Sequence, residues 1–315
     1  MVDVVTLGEA MIRLSPKDNL RLEQATELEL YVGGAELNVA VGLARLGMKS
    51  GWISKLVDNP LGRIIAQQGQ RNGVDVSQVV WVPEGRVGIY FVEFGVNPRA
   101  IQVYYDRRDS AASKLQPEDI NWEYIQQSRL LHLTGITPAL SNSCRQVVNR
   151  SLQEARKVEV ITCFDINYRR KLWSPEEARH CMEELLPQVN ILLSSTEDVQ
   201  TIFDISGDKE ELVRVLKERF RFQLVILDGN IALGDKGEIY RNEQVLVPHI
   251  VDRLGAGDAF AAGFIYGYLT EGVQKGMNYG AAMTALKLTI PGDYALVTRE
   301  EVEKLIIGPD IRIQR

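Results

Sequence analysis

Cysteine and histidine are scarce in this 315-residue chain, with three of each, all scattered. Cys144, Cys163 and Cys181 are too few and too far apart for a disulfide framework, and they fit a reducing cytoplasm. His132, His180 and His249 are equally dispersed, so no spacing of the kind that holds structural zinc occurs. Positive charge is also in deficit. A formal charge of −6, from 36 Lys and Arg against 42 Asp and Glu, argues against nucleic acid or an anionic membrane surface as partner. No apolar run approaches the ~20 residues that cross a bilayer. The first eight residues lack the basic start and long apolar core of a signal peptide and read instead as a first strand. No Gly-x-Ser-x-Gly nucleophile elbow is found. Residues 229–236 have the glycine spacing of a P-loop, but Asp235 stands where the phosphate-binding lysine is required. Residues 255–260 lack the third glycine of a dinucleotide fingerprint, which weakens a hydride-transfer reading.

What is present points to an α/β protein. Apolar residues make up 45% of the chain, enough for one large core. Short apolar runs at 4–8, 52–57, 130–134, 158–165, 190–195 and 224–227 alternate with helical stretches, the pattern of a mostly parallel sheet flanked by helices. Helices are expected over 35–46, where Leu37, Val41 and Ala44 share a face, and from Asn59-Pro60 to Asn72, with Gly73 as the stop. Residues 13–32 and 86–106 break the alternation. They are strand-rich without helices, and 88–94 with 101–105 read as a hairpin. Such strands would form a small separate sheet, a lid over a cleft, whose edges and apolar face invite pairing with a second subunit. No repeat, low-complexity stretch or long linker interrupts the chain, which reads as one domain over 1–315.

The most informative segment is Gly255-Ala256-Gly257-Asp258, a tight turn running into the small-residue helix that begins at Ala259. Two glycines permit close approach of a ligand, and a helix N-terminus favours a phosphate. Asp258 in that first turn suits a catalytic base for phosphoryl transfer, or, more simply, a helix cap. Gly33-Gly34 leads into a helix carrying Asn38, which can both donate to and accept from a polyol hydroxyl, although an ordinary glycine-rich helix entry looks the same. Arg169 follows an apolar strand, where ligands bind in open α/β sheets, and can grip a carboxylate or phosphate with two parallel bonds. Arg170 reads as a surface arginine. Tyr105 and Arg107 end the lid hairpin and would close over a polar substrate.

Taken together, these residues resemble the ribokinase-like (PfkB) family of carbohydrate kinases, and within it the 2-keto-3-deoxygluconate kinase branch. The resemblance rests on residues 5–11, 33–40, 88–91, 132–138, 165–169, 172–173, 251–258 and 286–293. The Gly-Ala-Gly-Asp element marks the whole family, whereas Asp165-Ile166-Asn167-Tyr168-Arg169 and Thr289-Ile290-Pro291-Gly292-Asp293 point to the narrower branch. It implies ATP-dependent, Mg²⁺-assisted phosphorylation of the 6-hydroxyl of an acid sugar. By that resemblance Asp258 is the base, and Gly255, Ala256 and Gly257 form the anion hole. Gly34, Asn38, Tyr90, Tyr105, Arg107 and Arg169 bind the sugar, the arginines favouring a carboxylate. Ser195, Asp228, Gly229, Gly255 and Gly257 meet the nucleotide, and Asp198 meets the metal. Two stretches depart from the family pattern. Ser195-Thr196-Glu197-Asp198 replaces the usual Asn-x-x-Glu, and Leu227-Asp228-Gly229-Asn230 puts a carboxylate where Thr-x-Gly is common. Asp228 would repel ATP phosphates unless it is turned away or compensated. The rival readings are a fructokinase or other ketohexose kinase, and a sugar- or nucleotide-binding protein without catalysis.

Overall fold

The computed structural model describes residues 2–242 and 245–308; residues 1, 243–244 and 309–315 of the expected 1–315 domain lie outside them. The strands are β1 (Val4–Leu7), β2 (Met11–Ser15), β3 (Glu29–Gly33), β4 (Ser50–Val57), β5 (Val79–Val82), β6 (Ile89–Glu93), β7 (Gln102–Asp106), β8 (Leu130–Thr134), β9 (Ile161–Asp165), β10 (Ile191–Ser194), β11 (Leu224–Leu227), β12 (Ile231–Leu233) and β13 (Ile239–Arg241). The α-helices are α1 (Ala35–Arg45), α2 (Pro60–Arg71), α3 (Trp122–Gln126), α4 (Asn142–Lys157), α5 (Pro175–Leu185), α6 (Thr196–Phe203), α7 (Lys209–Phe220), α8 (Ala256–Glu271), α9 (Val273–Lys287) and α10 (Arg299–Ile307).

Nine strands form one sheet in the order β13-β12-β11-β10-β9-β8-β1-β4-β5. It is parallel from β11 to β5, and β12 and β13 add antiparallel at one edge. The central strands are apolar on both faces because both are covered. Val5, Leu131, Phe164, Leu192 and Val225 meet α4, α5, α6 and α7 on one side. Val4, Leu130, Cys163, Ile191 and Leu224 meet α1, α8, α9 and α10 on the other.

The remaining strands form the small sheet, in the order β3-β2-β6-β7. Register puts Tyr31, Arg13, Tyr90 and Tyr105 in one row across it, and Leu30, Leu14, Phe91 and Tyr104 in the next. Successive residues face opposite ways. The first row and its neighbours Met11 and Val92 look toward the turn before α8, where Leu254 packs on them. The second leaves Leu30 45% and Tyr104 49% exposed.

The helix expected from Pro60 is capped as its sequence implies, with the Asn59 side chain accepting from the Gly62 amide. Three boundaries differ from the sequence reading. The strand expected from 158 begins at Ile161, because α4 runs to Lys157 and Glu159 turns the chain with φ 59°. Ser195 is not the end of a strand but the N-cap of α6, accepting from the Asp198 amide. The lid strand β2 starts at Met11, two residues before the expected lid segment. No helix among the described residues is long and apolar enough to cross a membrane.

Candidate active site

Two cavities meet at the N-terminus of α8. The larger, about 490 Å³, is lined by Asp165, Ser195, Asp198, Asp228, Gly229 and the turn 253–258. The smaller, about 80 Å³, lies under the lid and is lined by Glu9, Gly34, Glu36, Asn38, Tyr90, Tyr105, Arg107, Arg169 and Asp293. Arg169, Leu254, Gly255 and Asp258 belong to both. A wider depression of about 620 Å³, beside Lys209 and Arg241, contains none of these shared residues.

The turn before α8 is built for an anion. Gly255 has φ 81°, and a Cβ there would lie 2.0 Å from the Asp293 carbonyl oxygen, so only glycine fits. Among the described residues no side chain caps α8; the Ala256 amide donates to the Arg253 carbonyl at 3.3 Å, and the amides that follow it in the first turn are the ones a ligand can meet. A Cβ on Gly257 would meet nothing within 4 Å; its space is open to the cleft rather than used in packing.

Asp258 stands at the junction. Burial raises its pKa from 3.8 to about 6, while the hydrogen bond from Asn38 and the charge of Arg169 pull it down. Asn38 Nδ2 donates to Asp258 Oδ2 at 2.6 Å, and Asn38 Oδ1 accepts from the Gly34 amide at 3.2 Å. Each end of the Asn38 amide thus has one partner, and with a second N–H and a second lone pair remaining the side chain holds the carboxylate while still facing the small pocket it lines. Gly34 is the pocket floor, since a Cβ there would meet the Glu9 carbonyl at 2.3 Å.

Two further carboxyls share the region. Asp165 is pushed up to about 8 by burial and by Asp258 and Asp198. Glu36 is pushed to about 7 by burial, although Thr134 and Thr137 both donate to its Oε1 at 2.8 Å. Burial is the main cause in each case, and the neighbouring carboxylates add to it.

The arginines differ in their commitments. Both line the small pocket. Arg107 is 8% exposed and forms an ion pair through Nε and Nη2 with Glu9, which also accepts from Ser110. Arg169 donates only to the Tyr168 carbonyl at 3.1 Å and has no ion pair among the described residues. Tyr90 donates its hydroxyl to Asp293 Oδ2 at 2.7 Å, and Tyr105 stacks obliquely 6.0 Å from it. Arg170 is exposed, as the sequence suggested.

On the larger cavity's wall, Asp228 is compensated. Its carboxylate accepts from the Thr196 amide and hydroxyl at 2.8 and 2.6 Å and pairs with Lys209 at 2.8 Å. Those bonds outweigh burial, and its pKa is lowered. Asp228 and Gly229 have φ 51° and 66° and turn β11 directly into β12. This is a hairpin and not a P-loop, which requires a helix at that point. Asp198 accepts from the Tyr168 amide at 3.1 Å. Among the described residues no group of three acidic, His or Cys side chains is set to hold a metal ion.

Sequence reasoning passed over Arg13, Glu9, Glu36 and Asp293 as site residues. Arg13 is 1% exposed, reaching from the lid strand β2 to pair with Asp252 at 2.8 Å and Asp293 at 2.7 Å. Its guanidinium lies 5.0 Å from the Tyr31 and Phe94 ring centroids.

A profile of the pfkB family of carbohydrate kinases matches residues 1–298, and the chain belongs to that family. It is 39% identical over 318 residues to a 2-dehydro-3-deoxygalactonokinase of Haloferax volcanii, covering 99% of each chain. It superposes on the crystal structure of a Thermotoga maritima 2-dehydro-3-deoxygluconokinase with a TM-score of 0.90 and 34% identity, covering 98% of both. An E. coli protein provisionally called ribokinase II, solved in complex with ATP and Mg²⁺, shares the fold at TM-score 0.88 and 22% identity, with 98% of this chain and 99% of that one covered. The protein is therefore a sugar kinase of ribokinase-like fold.

Proposed function

We propose that this kinase transfers the γ-phosphoryl group of ATP to the 6-hydroxyl of 2-keto-3-deoxygluconate or a close keto-deoxy sugar acid. One observation carries the reading: a cleft of about 490 Å³ and a small polar pocket meet at the N-terminus of α8 and share Asp258 and an arginine that has no ion-pair partner among the described residues. The names of the two relatives above denote kinases of keto-deoxy sugar acids, which supports the substrate class. The sugar's hydroxyl faces Asp258, which accepts its proton as the oxygen bonds to the γ-phosphorus. The bond to the β-phosphate bridging oxygen breaks, ADP leaves, and the amides of Gly255, Ala256 and Gly257 meet the charge on the transferring group. Arg169 binds the sugar carboxylate, Arg107 is oriented by Glu9, and Tyr90 and Tyr105 cover the sugar. Asp198 would contact a Mg²⁺ bound with the nucleotide, and that ion would neutralise phosphate charge. Ser195, Asp228 and Gly229 border the nucleotide. The pairing of Asp228 with Lys209 removes the repulsion that motivated a non-catalytic reading.

A neutral ketohexose such as fructose is the second reading, favoured by one observation: Glu9 already neutralises Arg107. A coupled ADP-release assay with ATP and Mg²⁺ separates the two. The expected result is a clear preference in kcat/KM for 2-keto-3-deoxygluconate over fructose. Arg169→Met is expected to shrink that preference by about 10- to 150-fold, the worth of a charge-assisted hydrogen bond. A wild-type preference for fructose would overturn the acid-sugar assignment and keep the phosphoryl transfer.

The three free cysteines are all buried, in keeping with a cytoplasmic enzyme. The row of Leu30, Leu14, Phe91 and Tyr104, exposed at its two ends, suits dimerisation through the lid sheet. Light scattering at micromolar concentration is expected to give twice the chain mass, and a monomer would remove that assignment.

A further inference from the structure

We infer that Lys287 is a positioning residue for phosphoryl transfer, its ammonium acting as a built-in cation that ties together the two turns on which the anion hole rests. Lysines almost always reach water, yet this side chain, the last of α9, is 0% exposed. Its Nζ donates to two backbone carbonyls, Asp252 at 3.2 Å and Ile290 at 3.1 Å. The first belongs to the turn that leads into Gly255, the second to the turn that carries Asp293. Among the described residues no carboxylate forms an ion pair with it, although Asp252 and Asp293 lie near enough to act on its charge. The Asp252 side chain is taken up by the Leu254 and Gly292 amides and by Arg13.

The two turns touch where the chemistry is. Gly255 lies so close to Asp293 that a Cβ would meet its carbonyl at 2.0 Å. Val251 and Asp252 both donate their amides to the Leu288 carbonyl, which lashes the turns together on the far side. Carbonyl oxygens pointed at one spot repel each other unless a cation sits between them. An ammonium held only by carbonyls does what a bound K⁺ or NH₄⁺ would do, with the difference that it cannot leave. Burial lowers the pKa of Lys287, and the nearby carboxylates of Asp252 and Asp293 offset part of that cost. A tethered cation makes the anion hole complete in any salt.

The test uses the full-length enzyme with ATP, Mg²⁺ and whichever sugar it turns over best. Wild-type kcat is expected to stay within about 2-fold in sodium, potassium, ammonium and tetramethylammonium chlorides at equal ionic strength, because no free ion is needed. Lys287→Ala is expected to lose about 10²-fold in kcat, the usual size of a small misplacement at a reacting centre, with the sugar KM within about 3-fold. Ammonium or potassium near 0.1 M should restore at least about 10-fold of that rate by entering the vacated carbonyl site, and tetramethylammonium should not.

A wild-type rate that rises about 5-fold or more with potassium would overturn the inference, and this arm needs no variant to fold. So would a Lys287→Ala enzyme within about 3-fold of wild type, or one with native circular dichroism whose lost rate no small cation restores. The inference rests on residues 255–257 holding the transferring group. Asp258→Asn tests that reading separately: a misplaced anion hole leaves Asp258→Asn active, whereas a wrong role for Lys287 leaves it inactive.

Discussion

Asp258→Asn is expected to lower kcat by ~10²- to 10⁴-fold, the usual contribution of a general base, with little change in the sugar KM. Asparagine keeps the volume and can still accept from Asn38 Nδ2, so the pocket survives and the base alone is removed. The pH dependence supplies an independent check. A base must be ionised to take a proton, and burial holds Asp258 near 6. The wild-type rate should therefore fall as pH drops through about 6, and the residual rate of the variant should lose that limb. Steady-state kinetics from pH 5 to 8 measure both. Turnover within a few-fold of wild type would remove Asp258 from the chemistry.

The second large effect is on stability. Arg13→Met is expected to destabilise the fold by about 3–5 kcal/mol, because removing one member of a buried ion cluster strands the others. Methionine has nearly the right bulk for the slot between Tyr31 and Phe94, so the loss reports charge rather than volume. Asp252 and Asp293, 2% and 7% exposed, would then lose the guanidinium that pairs with both, leaving Lys287, held by backbone carbonyls, to offset their charge without pairing with either. Urea unfolding at pH 7 measures the difference, and a loss below about 1 kcal/mol would show that water compensates the pair. Activity should fall as well, since Asp252 fixes the Leu254 and Gly292 amides beside the anion hole.

How much of this was legible follows from the range of each signal. The parallel core announced itself because each central strand is apolar on both faces, and the turn before α8 because glycines running into a small-residue helix are a local signal. The lid was visible as strands without helices between them. The β11–β12 hairpin was legible in principle, since Asp228-Gly229 between apolar runs is a strong turn signal, but its glycines also matched a phosphate-loop spacing. What no local pattern could show was which charges would meet. Arg107 finds Glu9 across 98 positions, and Arg13 finds Asp293 across 280. Ion pairing has no period along the chain, and only the folded topology brings such partners together. The same reason hid the compensation of Asp228 by Thr196 and Lys209, so its carboxylate looked like an obstacle to the nucleotide.

Arg13 also bears on how such enzymes diversify. It is rooted in the lid strand β2 but bonded to the turns at Asp252 and Asp293, so the lid and the anion hole form one interchangeable part rather than two. A lid grafted from a homologue without its own arginine here would leave two acids unpaired beneath the catalytic turn. The unit to transplant when changing sugar preference is therefore strand β2 together with residues 251–255 and 288–293, and lid side chains outside the Arg13 row are the ones open to exchange.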